Sequence, residues 1–133
     1  MNTVIVNVDW HNNYGACPAN DAICCIVTGK TLAEVRERME YSLPLHIASM
    51  RKDGDVIPKE FCGEYQIKYV LSSQALIRAS QMVVTQAALA RTTGINPQLL
   101  NHYATGRRRP RPAQRARILS GMHRLGKELL EVE

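Results

Sequence analysis

Aromatic side chains are scarce in this chain. It has one Trp, one Phe and five Tyr among 133 residues, and 45% of the residues are hydrophobic. Any core must therefore be mostly aliphatic. Long apolar runs are missing as well, so no segment is expected to span a bilayer. The opening residues MNTVIVNVDW lack a basic start and a small-residue cleavage site. That predicts no secretory signal and a cytoplasmic protein. The four cysteines, Cys17, Cys24, Cys25 and Cys62, form no Cys-x-x-Cys and no Cys/His spacing that suits zinc. They read as small apolar residues in a reducing compartment, and no metal or cofactor is expected.

Acid is what the second half has little of. Residues 73–133 carry ten Lys/Arg against three Asp/Glu, a net charge of +7, whereas residues 1–72 carry seven against nine, a net −2. A basic half is the electrostatic footprint of a polyanion partner, and an acidic half suits a basic protein. The length fits two small domains, here 1–71 and 72–133.

In the first, Thr3–Val8 is a β-branched run and predicts a strand. His11-Asn12-Asn13 supplies turn chemistry. Tyr14–Pro18 returns as a second strand, and Ala22–Thr28 forms a third after a turn at Asn20-Asp21. The spacing predicts an antiparallel meander. Thr31-Leu32-Ala33-Glu34 is a capping box that opens a helix. Leu32, Val35, Met39, Leu43, Ile47 and Met50 form the face of that helix that packs on the sheet. Pro44 should kink or divide it. Glu64–Ser72 is the last strand. The class is α+β: an antiparallel sheet plus helix, followed by an all-α domain.

Catalysis finds little support in these residues. Asp9 follows a strand with His11 two positions on, but metal-dependent hydrolysis needs converging carboxylates. Asp21, Asp53 and Asp55 qualify only as loop acids. Cys62 has no evident base partner, and His46 reads as structural.

In the all-α half, Ser73–Val83 predicts a helix packed through Ala75, Leu76, Ala79 and Met82. The stretch Thr85–Gly106 then reads as two short helices about a tight turn. Thr85 caps the first. Gly94 takes the turn, Ile95 plugs the gap, Asn96 caps the second helix and Pro97 opens it. Leu89, Ala90, Leu100 and Tyr103 face inward. Gln98, Asn101 and His102 point outward. RRRPR follows, with prolines at 110 and 112 that hold it extended. Ala113–Glu133 is a final helix with an apolar stripe of Ile118, Leu119, Met122, Leu125, Leu129 and Leu130. Gln86, Leu89, Ala90, Gly94, Ile95, Leu100 and Tyr103 resemble the DNA-binding helices of phage-repressor (Cro-like) proteins. Thr93 departs from that pattern, which has an apolar residue there. A helix-turn-helix places its second helix in the major groove. Gln98, Asn101 and His102, with Pro97 at the helix start, are then the base-facing residues. Gln86, Arg107, Arg108, Arg109 and Arg111 are the phosphate contacts.

The order of parts, with YGACP, GKTLAEV, LPLHIASM and DGDVIP, resembles the HicB antitoxins of HicA/HicB toxin–antitoxin systems, in the version with a C-terminal helix-turn-helix. The resemblance covers about Thr3 to Leu130 and departs at Pro18-Ala19-Asn20-Asp21, where many members have Pro-Gly-x-x-Gly. It implies a partly degraded RNase-H-like N-terminal domain that binds and blocks a HicA-like mRNA-cleaving toxin; enzyme activity is not expected, for want of a carboxylate cluster. It also implies a C-terminal domain that represses its own operon. The sheet edge and the surface loops around His11 and Asp21 are the candidate toxin contacts. A single helix-turn-helix reads few base pairs, so a homodimer or tetramer on a palindromic operator is expected. Two other readings stay open: a stand-alone repressor with a ligand-sensing N-terminal domain, and a small metal-dependent nuclease.

Overall fold

Two strands of alternating apolar residues begin the chain. β1 (Asn2–His11) and β2 (Asn13–Pro18) pair antiparallel from Val6↔Pro18 to His11↔Asn13. The hairpin turns at Asn12, which takes a left-handed φ of 66° that asparagine tolerates. Alternation puts Val4, Val6, Val8, Tyr14 and Ala16 in the core. Trp10 meets Tyr14 edge-on, with ring centroids 4.8 Å apart.

The third strand is much shorter than the sequence predicts. β3 is Val27–Gly29 alone, pairing with Ala16 to Tyr14. Residues 19–26 do not join the sheet because Asn20 organises them otherwise. Its side-chain oxygen accepts from Ala22 N, its carbonyl accepts from Ile23 N, and its amide donates to Glu60 at 2.7 Å. Ile23 and Cys25 are thereby buried, while Cys24 and Ile26 face outward. The expectation that the cysteines are buried holds for Cys25; Cys62 is exposed and Cys17 half-buried.

α1 (Leu32–Lys52) is one helix. Thr31 accepts from Glu34 N at 3.1 Å, and the Glu34 carboxylate accepts from Lys30 N at 2.7 Å, one residue further back than in the usual box. Val35, Met39, Leu43 and Ile47 are its buried stripe. Leu32 and Met50, at its ends, are half-exposed. Pro44 does not divide the helix. Pro44 lies on the solvent side, and the carbonyl it leaves without a helical donor belongs to Glu40, also exposed. The buried Leu43 and Ile47 anchor the turns on either side.

A 3-10 turn, Lys59–Phe61, precedes β4 (Tyr65–Leu71). The Asn2 amide donates to the carbonyls of Lys59 and Cys62, both at 3.3 Å, and seats buried Phe61 under the sheet's end. β4 runs parallel to β1, in register Val4↔Ile67 and Val8↔Leu71. The sheet is therefore mixed, in the order β3-β2-β1-β4, and not the antiparallel sheet expected. A helical crossover as long as α1 is what permits a parallel return. Tyr69 ties β4 to α1: its hydroxyl donates to Arg36 O at 3.4 Å, and the Arg36 guanidinium lies 5.5 Å from its ring centroid.

The structure describes residues 1–133, as a computed structural model, and they divide into two compact units, Met1–Ser72 and Ser73–Glu133. Ser72 is held in the first unit, because its N–H donates to Val8 O at 2.8 Å and its hydroxyl to Asp9 at 2.6 Å. The class is α+β, a four-stranded mixed sheet with five α-helices.

In the second unit, α2 (Ser73–Ser80) stops three residues short of its expected end. The buried Ser80 hydroxyl donates to Ile77 O at 2.7 Å, and the chain turns there. Met82 is consequently 77% exposed and not a packing residue. α3 (Gln86–Thr93), α4 (Pro97–Thr105) and α5 (Pro112–Leu130) complete the unit. Its core is Leu76, Ile77, Leu89, Ile95, Leu100, Tyr103 and Ile118. No helix is long and apolar enough to cross a membrane.

Leu43 is fully buried at the centre of α1. Leu43→Ala is expected to cost about 2–5 kcal/mol through lost transfer energy and the cavity left behind. Urea denaturation followed by circular dichroism measures it; a loss under 1 kcal/mol would place Leu43 outside the core.

Candidate functional site

The α3–α4 pair is built by three small devices. Thr85 accepts from Ala88 N at 3.0 Å and starts α3. Gly94 ends it at φ 73°, a left-handed position that other residues fill at a cost. Asn96 accepts from Gln98 N at 2.8 Å and starts α4, with Pro97 in its first turn. Leu89, Ala90, Ile95, Leu100 and Tyr103 are buried between the helices and their neighbours, as the sequence predicts.

Outward from this pair stand Pro97, Gln98 and Asn101, all exposed, with His102 half-buried beside them. Gln98, Asn101 and His102 are three and four residues apart and share one face of α4. Thr105 continues that face, but its hydroxyl donates back to Asn101 O at 2.9 Å. Gly106, at φ 80°, closes α4, and Arg108 N donates to His102 O at 3.3 Å. The arginine run therefore leaves the helix from a fixed point. Arg107, Arg108, Arg109 and Arg111 are all exposed. Gln86 differs from the expectation of a free surface group. It is half-buried, its oxygen accepts from Gln81 at 3.4 Å, and its amide nitrogen is enclosed with no acceptor. Such a donor is costly to leave unmatched.

Thr93, the departure from the Cro-like pattern, has a physical account. Its hydroxyl donates to Leu89 O at 2.7 Å and accepts from Ile95 N at 3.3 Å, so it spans the turn internally. Its methyl faces Gly121 of α5, where an added Cβ would come within 2.7 Å. The absence of a side chain at 121 is what lets the helices approach. On either side, Arg117 donates to Thr93 O at 2.7 Å and Arg124 donates to Thr92 O. These guanidinium groups satisfy the last carbonyls of α3 and oppose the negative end of its dipole. Sequence reading missed this clamp. Its signal was present as Arg117, Gly121 and Arg124, spaced four and three apart on one helical face.

In the first unit, His11 and Asp21 are both exposed but are not brought together. His11 ends β1, whereas Ala19, two residues before Asp21, donates to Ile5 O near the other end of that strand. Six residues of strand separate these ends by about 20 Å. Asp9 is the better-organised group. It accepts from Ser72 Oγ at 2.6 Å, Trp10 N at 2.8 Å and His11 Nε2 at 3.2 Å. Burial pushes its pKa up, but those hydrogen bonds and the nearby His11 together outweigh burial and hold it below the usual carboxylate value. No second carboxylate joins it, and no group of three or more His, Cys, Asp or Glu is placed to hold a metal ion.

No protein-family model, curated protein or solved structure is a significant match to this chain.

Two outcomes follow from this geometry. Gly121→Ala is expected to lower the stability of the second unit by about 1–3 kcal/mol, despite the better helix propensity of alanine. The same substitution should cost less in a Thr93→Ser background, which removes the opposing methyl; thermal denaturation of the four proteins measures this. Ser72→Ala should raise the Asp9 pKa, read from its carboxyl carbon by NMR titration. Because the folded pKa is depressed, the stabilising contribution of Asp9 is complete above the unfolded pKa and is lost as pH falls through the folded one. An unmoved Asp9 titration would remove Ser72 from that account.

Proposed function

We propose that the chain is a two-domain antitoxin and repressor. The second unit binds operator DNA as a helix-turn-helix, with α4 in the major groove. The observation that carries this is the single face holding Gln98, Asn101 and His102, beside a fixed exit for four arginines. Asparagine and glutamine amides match the donor and acceptor pair on the adenine edge. The enclosed Gln86 amide nitrogen is closed to a phosphate oxygen, so the phosphate contacts fall to the arginines. The arginines neutralise phosphates on either side. Two copies read a palindrome with half-sites about one helical turn apart.

The first unit, in this reading, is a partly degraded RNase-H-like domain that blocks a HicA-like toxin. Its support is the resemblance to HicB antitoxins and its net −2 charge, which suits a basic partner. The well-ordered end of β1 at Asp9 and His11 offers that partner a carboxylate and an imidazole at the surface. Asp21, at the other end of the strand, serves a separate contact.

Fluorescence anisotropy on the promoter upstream of the gene tests the DNA reading. Asn101→Ala should lower preference for operator over random DNA, by about 1–3 kcal/mol per lost bidentate contact. Arg108→Ala should weaken both DNAs alike and flatten the log–log salt dependence by about one unit. No binding at low salt, or equal loss of discrimination from both variants, sinks the assignment. The antitoxin half predicts a gene for a small basic protein beside this one and co-purification of its product; an isolated gene, or no co-purification, sinks it.

A further inference from the structure

The end of α3 and the facing side of α5 do not close on each other completely. Around the Thr93–Gly121 contact they leave a cavity of about 380 Å³ that opens to solvent. Ala113, Ala116, Arg117, Ser120 and Arg124 of α5 line it, with Thr92 opposite. Its charge is of one sign, because no Asp or Glu occurs in residues 73–127. Arg117 and Arg124 stand two helical turns apart on α5, roughly 10 Å. They nevertheless donate to the carbonyls of consecutive residues, Thr93 and Thr92. The clamp therefore draws two cations together. Every acceptor they hold is neutral, the Gln114 side chain at 3.1 Å from Arg117 being the third. A guanidinium has five donors. Arg117 spends two of them and Arg124 one, so each keeps donors for a ligand.

We propose that this cavity binds a small dicarboxylate, with one carboxylate on each guanidinium. The planar fork of an arginine matches a carboxylate through two parallel hydrogen bonds. Two cations drawn together with no acid nearby repel each other, and a ligand with two negative charges relieves that repulsion most. The methyl groups of Ala113 and Ala116 give an apolar wall for the carbon chain between the carboxylates. The hydroxyls of Thr92 and Ser120 add neutral donors. The volume falls within the range of small-ligand sites, in which a few polar groups orient a ligand against apolar walls. A bound dianion ties α5 to the end of α3 and so stabilises the second unit. The site stands whether or not that unit binds DNA.

NMR titration of the ¹⁵N-labelled full chain with sodium succinate, at ionic strength held constant with sodium chloride, tests it. The amides of Thr92, Thr93 and Gly121 should shift and saturate with a Kd of about 1 mM or below. Butyrate, with one carboxylate, should bind roughly tenfold more weakly or worse. Succinate should lose a similar factor on Arg124→Gln, which keeps a donor for Thr92 O but not the charge. Lys52→Gln removes one positive charge from the first unit and should leave the affinity unchanged. Because Arg124→Gln also alters the clamp, Ala116→Glu supplies a second reading. It places a carboxylate in the cavity, keeps both arginines, and should abolish succinate binding while the amide spectrum stays that of the folded chain. No saturable shift below about 10 mM overturns the proposal. So does undiminished affinity in Ala116→Glu, or a loss from Lys52→Gln equal to that from Arg124→Gln. Butyrate or inorganic phosphate binding as tightly as succinate overturns the dicarboxylate assignment.

Discussion

The end of α3 is the point on which the second unit depends. Three demands meet there. The helix leaves carbonyls without intrahelical donors, the chain must turn left-handed, and α5 must cross close by. Gly94 meets the second demand and Gly121 the third, while Arg117 and Arg124 meet the first from across the helix pair. Each is of use only because the others are present. Were α5 held off by a side chain at 121, the arginines would not reach the carbonyls, and the direction of α4 would be left to Gly94 alone. The angle at which Gln98 and Asn101 are presented is thus set by residues that face away from them.

This changes how the basic surplus of the second half is understood. Ten Lys/Arg in one sequence half invite assignment to a polyanion as a group. Arg117 and Arg124 instead neutralise the end of a helix within their own unit, and Arg36 in the first unit lies over Tyr69. The arginines offered to phosphate are Arg107, Arg108, Arg109 and Arg111, on a segment whose start is fixed by the bond from Arg108 N to His102 O. Placement, not number, decides which cations are available to a partner.

Local signals were the legible part of the sequence. Thr31, Thr85 and Asn96 cap helices where the sequence predicts, and Gly94 takes the turn, because each acts within four residues of itself. The buried stripe of α1 followed from its period. Non-local features were not legible. Whether β4 runs with or against β1 depends on where the crossover delivers it, and β-branched composition is the same either way. The short β3 reflects a bond from Asn20 to Glu60, forty residues on. The exposure of Met82 follows from one serine hydroxyl that ends α2 early. At the candidate site, the outward residues were found by helical spacing. The enclosed Gln86 amide and the arginine clamp were not, since both depend on contacts between elements.

The Trp10–Tyr14 edge contact has a practical corollary. Trp10 is the only tryptophan, and it belongs to the first unit. Its emission therefore reports the β-sheet unit alone, while far-ultraviolet ellipticity is weighted toward the helices, most of which lie in the second. Two optical signals from the unlabelled protein thus separate the melting of one unit from that of the other, and a binding partner can be assigned to a unit by which signal it shifts.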